Sequence, residues 1–235
     1  MESLAGRVIA IAGAGGNLGP TVVGRLASSG TVLALGGRDE DPLDALAKDL
    51  GIDVDTASVD LLDAGSARAW ADAIVERRRR VDALVHLVGG WRGGQPIEAA
   101  PLEDWDFLQG LLVRTVQHAT QAFTPHLLAS GRGRFVIVSS GQAQEPTHTN
   151  AAYAAAKAAA ETWTLGLAHR FRGSGATANV IVVGAIVTPA MRTESPDKDF
   201  STFTSAEQIA EAVAYLCSDA AASMNGQRIT LRGAA

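Results

Sequence analysis

Val8-Ile9-Ala10-Ile11-Ala12-Gly13-Ala14-Gly15-Gly16-Asn17-Leu18-Gly19 is the stretch that decides the fold. Five apolar residues without polar alternation suit a strand covered on both faces. Glycines then let the backbone turn tightly and approach a pyrophosphate, which rests on the N-terminus of the helix that follows. The spacing misses GxGxxG by one place, because Leu18 sits where the third glycine belongs. It also misses GxxxGxG, because Asn17 replaces the middle glycine. Asparagine tolerates positive φ better than other side chains, so that exchange is mild. Gly13, Gly15, Gly16, Asn17, Leu18 and Gly19 are therefore candidate cofactor-binding residues.

Outward from this loop, apolar runs alternate with amphipathic stretches to the end of the chain. The runs are Val8–Ala12, Thr31–Leu35, Asp53–Val59, Val81–Val88, Phe135–Ser139, Ala178–Val183 and Arg228–Leu231. Helices are predicted over Pro20–Ser29, Asp41–Leu50, Ser66–Arg79, Leu102–Ala129, Ala151–Arg172 and Ser205–Ser218. This order predicts an α/β chain, a single-domain Rossmann fold over residues 1–235 with a doubly wound, seven-stranded parallel sheet. The polar connection Arg192–Thr204 falls after a strand end, where such sheets bind ligands.

The net charge of −5 leaves no footprint for nucleic acid. The one basic run, Arg77–Arg80, reads as a solvated helix C-terminus, where cations complement the dipole. No apolar stretch is long enough to span a membrane. The N-terminus does not read as a signal peptide, and the single cysteine, Cys217, fits a reducing cytoplasm. Neither a metal-ligand cluster nor a GxSxG nucleophile elbow occurs.

Tyr153-Ala-Ala-Ala-Lys157, with Ser140 upstream, carries the chemistry. Four residues apart on a helix, Tyr153 and Lys157 share a face. An ammonium beside a phenol favours the phenolate, so the tyrosine pKa is expected to fall toward working pH, as suits a general acid/base. The chain has only three lysines, Lys48, Lys157 and Lys198, so the spacing carries weight. Ser140 offers a hydroxyl to a substrate oxygen. After the second strand, Gly37 and Arg38 stand where NAD binders place a ribose-binding acid. Arg38 can pair with the 2′-phosphate of NADP; a plain surface arginine is the alternative, and Asp39 leaves NAD open. Asp60, beside Leu61 after the third strand, is a candidate for the adenine edge or a helix cap.

With these motifs in place, the chain resembles the short-chain dehydrogenase/reductase family over nearly its whole length. The resemblance implies that Ser140, Tyr153 and Lys157 are catalytic: Tyr153 exchanges the substrate proton, Lys157 lowers its pKa and binds the nicotinamide ribose, and Ser140 polarises the substrate. Gly184-Ala185-Ile186-Val187-Thr188-Pro189 is similar to the family's PG-x-x-x-T segment, with Val183 for the proline, which implies that Gly184, Ile186 and Thr188 lie at the nicotinamide end. Gly226-Gln227 matches the family's C-terminal pattern. The family's NNAG reads His86-Leu87-Val88-Gly89, keeping only Gly89 at the adenosine, and the helical asparagine of its tetrad falls on Leu112. Stretches near Val88–Gly94 and Thr188–Phe200 resemble dihydropteridine-reductase-like members, which implies small planar substrates. Trp91, Arg92, His148 and Phe200 are then candidate pocket residues, Trp91 by stacking on a planar ring. The resemblance implies a homodimer or homotetramer built on the two long helices. The expected activity is hydride transfer between NADP, with NAD as the alternative cofactor, and a small carbonyl, quinonoid or C=N substrate. A weakened regulatory protein and a 3-oxoacyl or polyketide ketoreductase are the alternatives.

Overall fold

The computed structural model describes residues 4–233, so Met1–Ser3 of the N-terminal stretch discussed above lie outside the described residues. Seven parallel strands form one sheet: β1 (Val8–Ala12), β2 (Val32–Gly37), β3 (Val54–Ser58), β4 (Ala83–His86), β5 (Arg134–Ser140), β6 (Thr177–Val183) and, at the far edge, β9 (Arg228–Thr230). Their order is β3-β2-β1-β4-β5-β6-β9. Each run expected to be a strand is one, with ends displaced by at most two residues and β1 matching at both ends. Two short strands missed by the sequence, β7 (Ile186–Val187) and β8 (Thr204–Ser205), pair beside the main sheet. They close the segment around Arg192–Thr204, which also contains the short helix α7 (Pro189–Glu194).

Every residue of β1 and β6 is buried, as strands covered on both faces require. One face packs against α1 (Gly19–Ala27), α2 (Glu40–Leu50) and α8 (Ala206–Leu216), through Val22, Leu26, Leu43 and Val213. The other packs against α3 (Ala64–Arg78), α5 (Thr115–Ala129) and α6 (Ala151–Arg170), through Trp70, Phe123 and Leu167. Trp70 meets Phe123 edge-on at 5.0 Å. It also presses on β2 so closely that a Cβ on Gly36 would stand 2.7 Å from its ring. Cys217 is buried, which pushes its thiol up to about 12.

Two expectations need correcting. The helix expected over Leu102–Ala129 is α4 (Leu102–Leu108), a π-helical segment Gln109–Arg114, and then α5. Leu111, within that segment, and Thr115, which follows it, lie four apart and share a face. The arginines of Arg77–Arg80 are not merely solvated. Arg77 and Arg78 pair with Asp53 and Asp55 beside the edge strand β3, and Arg80 pairs with Asp82. Opposite charges at that edge outcompete water for these side chains.

The end of the sheet remote from the strand C-termini is tied by Asp82. Its fully buried carboxylate accepts from Val8 N–H at 3.0 Å, Ser130 Oγ at 2.6 Å and Arg80 Nε at 2.9 Å. Burial pushes its pKa up, and the bonds from Ser130, Arg80 and Val8 outweigh this and leave it below the usual carboxylate range.

Candidate active site

Strand order reverses between β1 and β4, and a crevice opens there at the strand C-termini. A cavity of about 930 Å³ occupies it. One end is built by the glycine loop between β1 and α1. Gly13 has φ +79°, and a Cβ on it would stand 2.8 Å from Val88 N. A Cβ on Gly19 would stand 1.8 Å from the Ala14 carbonyl oxygen, so only glycine lets α1 start this close to the turn. Gly16 N–H donates to Gly13 and Gly19 N–H to Gly16, while Gly15, Asn17 and Leu18 N–H groups have no acceptor among the described residues. No side chain caps α1, whereas Asp63, Thr188 and Ser205 cap α3, α7 and α8. Uncapped amides at a helix N-terminus suit a phosphate group. The loop therefore fits a dinucleotide pyrophosphate.

Next to the loop, Gly37, Arg38, Asp39 and Pro42 line the cavity. Arg38 is exposed, and its guanidinium has no ion-pair or hydrogen-bond partner among the described residues. Asp60, Leu61 and Trp70 line the same region. Asp60 accepts from Leu62 N–H, and the α3 cap is Asp63. The middle of the cavity is bounded by Val88, Gly89, Leu111 and Thr115. The other end is bounded by Ser140, Tyr153, Lys157, Gly184 and Ile186, with Trp91 exposed at the mouth.

The Ser–Tyr–Lys group assembles because β5 ends at Ser140 and α6 begins at Ala151, so one βα connection delivers all three to one wall. The Ser140 hydroxyl accepts from Gln142 N–H at 3.3 Å and faces the Tyr153 phenol. The expected fall in the tyrosine pKa is corrected: burial pushes Tyr153 above its ordinary value, and Ser140 offsets this only in part. Lys157 does not set the phenol directly, because Nζ turns to the Val138 carbonyl at 2.9 Å. Burial lowers Lys157 to about 8, against the opposing charge of Glu161. His86 is fully buried on β4, and burial, then the Lys157 charge, hold it neutral at about 3.

Several expected site residues lie elsewhere. Gly19 packs under the loop without lining the cavity. Thr188 is buried and caps α7 through Met191 N–H. His148 is exposed on the loop before α6 and does not line the cavity. Arg92 stacks on Phe107 at 3.7 Å and pairs with Asp104, because a nearby ring and carboxylate hold it outside. Phe200 is buried against Phe203. Leu112 packs with Leu108, Val113 and Ala156. The sequence reading missed Leu111, Thr115 and Gln142 in the wall. Leu111 and Thr115 share a helical face, but nothing in their residue types marks it as the face toward the cavity.

A family model described as enoyl-(acyl carrier protein) reductase matches residues 13–233. An uncharacterized oxidoreductase of Staphylococcus epidermidis is 27% identical over 232 residues, covering 99% of each chain. The 3-oxoacyl-[acyl-carrier-protein] reductase of Thermotoga maritima is 28% identical over 98% of each. The structure of 3-ketoacyl-(acyl-carrier-protein) reductase from Brucella melitensis complexed with NADH has a TM-score of 0.88 at 25% identity, with 98% of each chain covered. A glycine loop at the sheet crossover, together with a match that runs nearly end to end, means that this chain belongs to the short-chain dehydrogenase/reductase family of nicotinamide-dependent oxidoreductases.

Proposed function

We propose that this oxidoreductase uses NADP(H) to reduce a small carbonyl, quinonoid or C=N substrate, with Tyr153 as general acid/base. The observation that carries the reading is the shared wall: the Ser140 hydroxyl and Tyr153 phenol meet at the end of the cavity opposite Arg38. A bound nicotinamide supplies the hydride. Gly13, Gly15, Gly16, Asn17 and Leu18 hold the pyrophosphate, and Arg38 holds the 2′-phosphate. Asp60, Leu61 and Gly89 border the adenosine, and Gly184 and Ile186 the nicotinamide end. Ser140 donates to the substrate heteroatom and holds it against Tyr153. Tyr153 gives its proton to that atom, and a buried phenol with a raised pKa is stored in the protonated form that this step needs. Lys157, with its ammonium held at Val138, binds the ribose hydroxyls. Trp91 stacks on a planar substrate at the mouth.

The 3-oxoacyl reading is favoured by the names of the Thermotoga and Brucella relatives. Against it stands the short connection Arg192–Thr204, since a long acyl substrate would favour a larger lid. NADPH oxidation with a panel of small ketones, quinones, dihydropterins and 3-oxoacyl thioesters separates the two. Preference for the small substrates supports the first reading, and preference for the thioesters overturns it. Silence across the panel favours a regulatory protein that only binds cofactor.

Assembly as a homodimer or homotetramer through α4–α5 and α6 belongs to the same proposal, as does a cytoplasmic location. Trp105, Phe107 and Trp163 are partly exposed on those helices. No described helix is long and apolar enough to cross a membrane.

A further inference from the structure

Glu161 stands one helical turn beyond Lys157 on α6 and is fully buried. Side chains four apart on a helix are neighbours on one face. A buried charge persists only when it is paired and hydrogen-bonded, and Glu161 has three donors. Its Oε1 accepts from Ser139 Oγ at 2.5 Å. Its Oε2 accepts from Gln144 Nε2 at 2.6 Å and from Arg228 Nε at 2.6 Å. Ser139 immediately precedes Ser140 on β5, and Gln144 ends the single turn Gly141–Ala143 that follows it. Both anchors therefore flank Ser140, one on each side, and Arg228 ties in the edge strand β9.

We propose that Glu161 is a positioning residue: its carboxylate clamps the Ser139–Gln144 segment, and with it the Ser140 hydroxyl, onto the helix that carries Tyr153 and Lys157. The proposal rests on the catalytic reading of those three residues given above. Glu161 touches no reacting atom and acts through Ser140 and Lys157. Misplacing a reacting group by about 1 Å costs on the order of 100-fold in rate, so the clamp has a kinetic consequence. It also has an electrostatic one. Burial lowers Lys157, and the Glu161 charge opposes that fall. The charges facing Glu161 are Lys157 on its own helix and Arg228 on β9. Ser139 and Gln144 are neutral, and His86 on β4, which faces Lys157, is held neutral.

With three lysines in the chain, ε-13C-lysine NMR can follow Lys157 separately, with Lys157→Met to assign it. In the full-length protein, Lys157 should titrate near 8. Glu161→Gln should lower that midpoint by about one pH unit. It should also speed amide exchange at Gly141–Gln144 by more than about tenfold while leaving β1 unchanged, and lower kcat by about 100-fold at nearly constant cofactor KM. Arg228→Gln, which removes the competing cation, should move the midpoint up. Opposite shifts from two neighbours are not what a general loosening produces. Wild-type exchange at Gly141–Gln144, or a wild-type Lys157 midpoint, in folded Glu161→Gln overturns the proposal. Should that variant not fold, an unmoved or lowered midpoint in Arg228→Gln overturns it instead. A wild-type protein silent toward every substrate defeats the reductase reading, and the NMR and exchange results still decide the role of Glu161.

Discussion

Lys157 Nζ donates to the Val138 carbonyl at 2.9 Å, a bond that crosses from α6 to β5 two residues before Ser140. The ammonium so held lies 5.9 Å from the centre of the Tyr153 ring. The lysine is thus an anchor between helix and strand, and the phenol is tuned by its own burial and by Ser140.

The first prediction concerns pH. Lys157 loses its proton as pH rises through about 8, well below the ordinary lysine value. With the ammonium required, kcat/KM for reduction should fall about tenfold per unit above that pH. The sign for stability is opposite. Between about 8 and the ordinary value near 10.4, the unfolded chain binds the proton that the folded chain has lost, so this group makes stability rise with pH. A pH–rate profile alongside urea melts at matching pH values checks both.

Tyr153→Phe removes the proposed acid and keeps the ring. Turnover should fall by about 10²- to 10⁴-fold. NADPH binding, followed by fluorescence titration, should stay within about threefold of wild type, because the cofactor is held mainly by backbone and Arg38. A variant that retains wild-type turnover excludes Tyr153 as the acid.

Arg38→Ala should weaken NADPH by about 10- to 100-fold, the range expected for losing hydrogen bonds to a charged group. NADH, which lacks the 2′-phosphate, should change by less than about threefold. Isothermal titration of both cofactors against both proteins decides this. Equal affinities in the wild-type protein would sink the NADP preference.

Gly19→Ala should cost more than about 4 kcal/mol, since its Cβ would lie 1.8 Å from the Ala14 oxygen. Gly24→Ala, five residues along α1, meets nothing within 4 Å and should stabilise the protein by about 0.5–1 kcal/mol. Thermal melts of the two variants should therefore move in opposite directions.

Asp82 should dominate acid sensitivity. Its folded pKa lies below the unfolded one, so its contribution is present above about pH 3.9 and is lost as pH falls through the folded value. Asp82→Ala should cost about 3–5 kcal/mol at neutral pH, because Arg80, Ser130 and Val8 N–H lose their acceptor. Denaturant melts between pH 3 and 7 should show the variant with a flatter acid limb.

The strands, their parallel arrangement and the glycine loop were legible because their causes are local. Continuous apolar runs such as Val8–Ala12 signal burial on both faces, and close contacts at Gly13 and Gly19 admit no Cβ. Ser140, Tyr153 and Lys157 were legible because a helical four-residue spacing after a strand end is itself a geometry. The π turn at Gln109–Arg114 was not, since it follows from packing against α6 and leaves no mark on apolar periodicity.

By itself, then, the amino-acid order determined which segments are strands and helices, where the glycine turn opens the start of α1, and which wall carries the phenol and the ammonium. Only the tertiary structure decided what those groups experience. Burial raises Tyr153, the Val138 carbonyl draws Lys157 aside, and Glu161 joins Ser139, Gln144 and Arg228 across a span of 89 residues. The reason is physical: pattern and propensity act between near neighbours in the chain, whereas desolvation and ion pairing depend on groups that meet only once the sheet has closed.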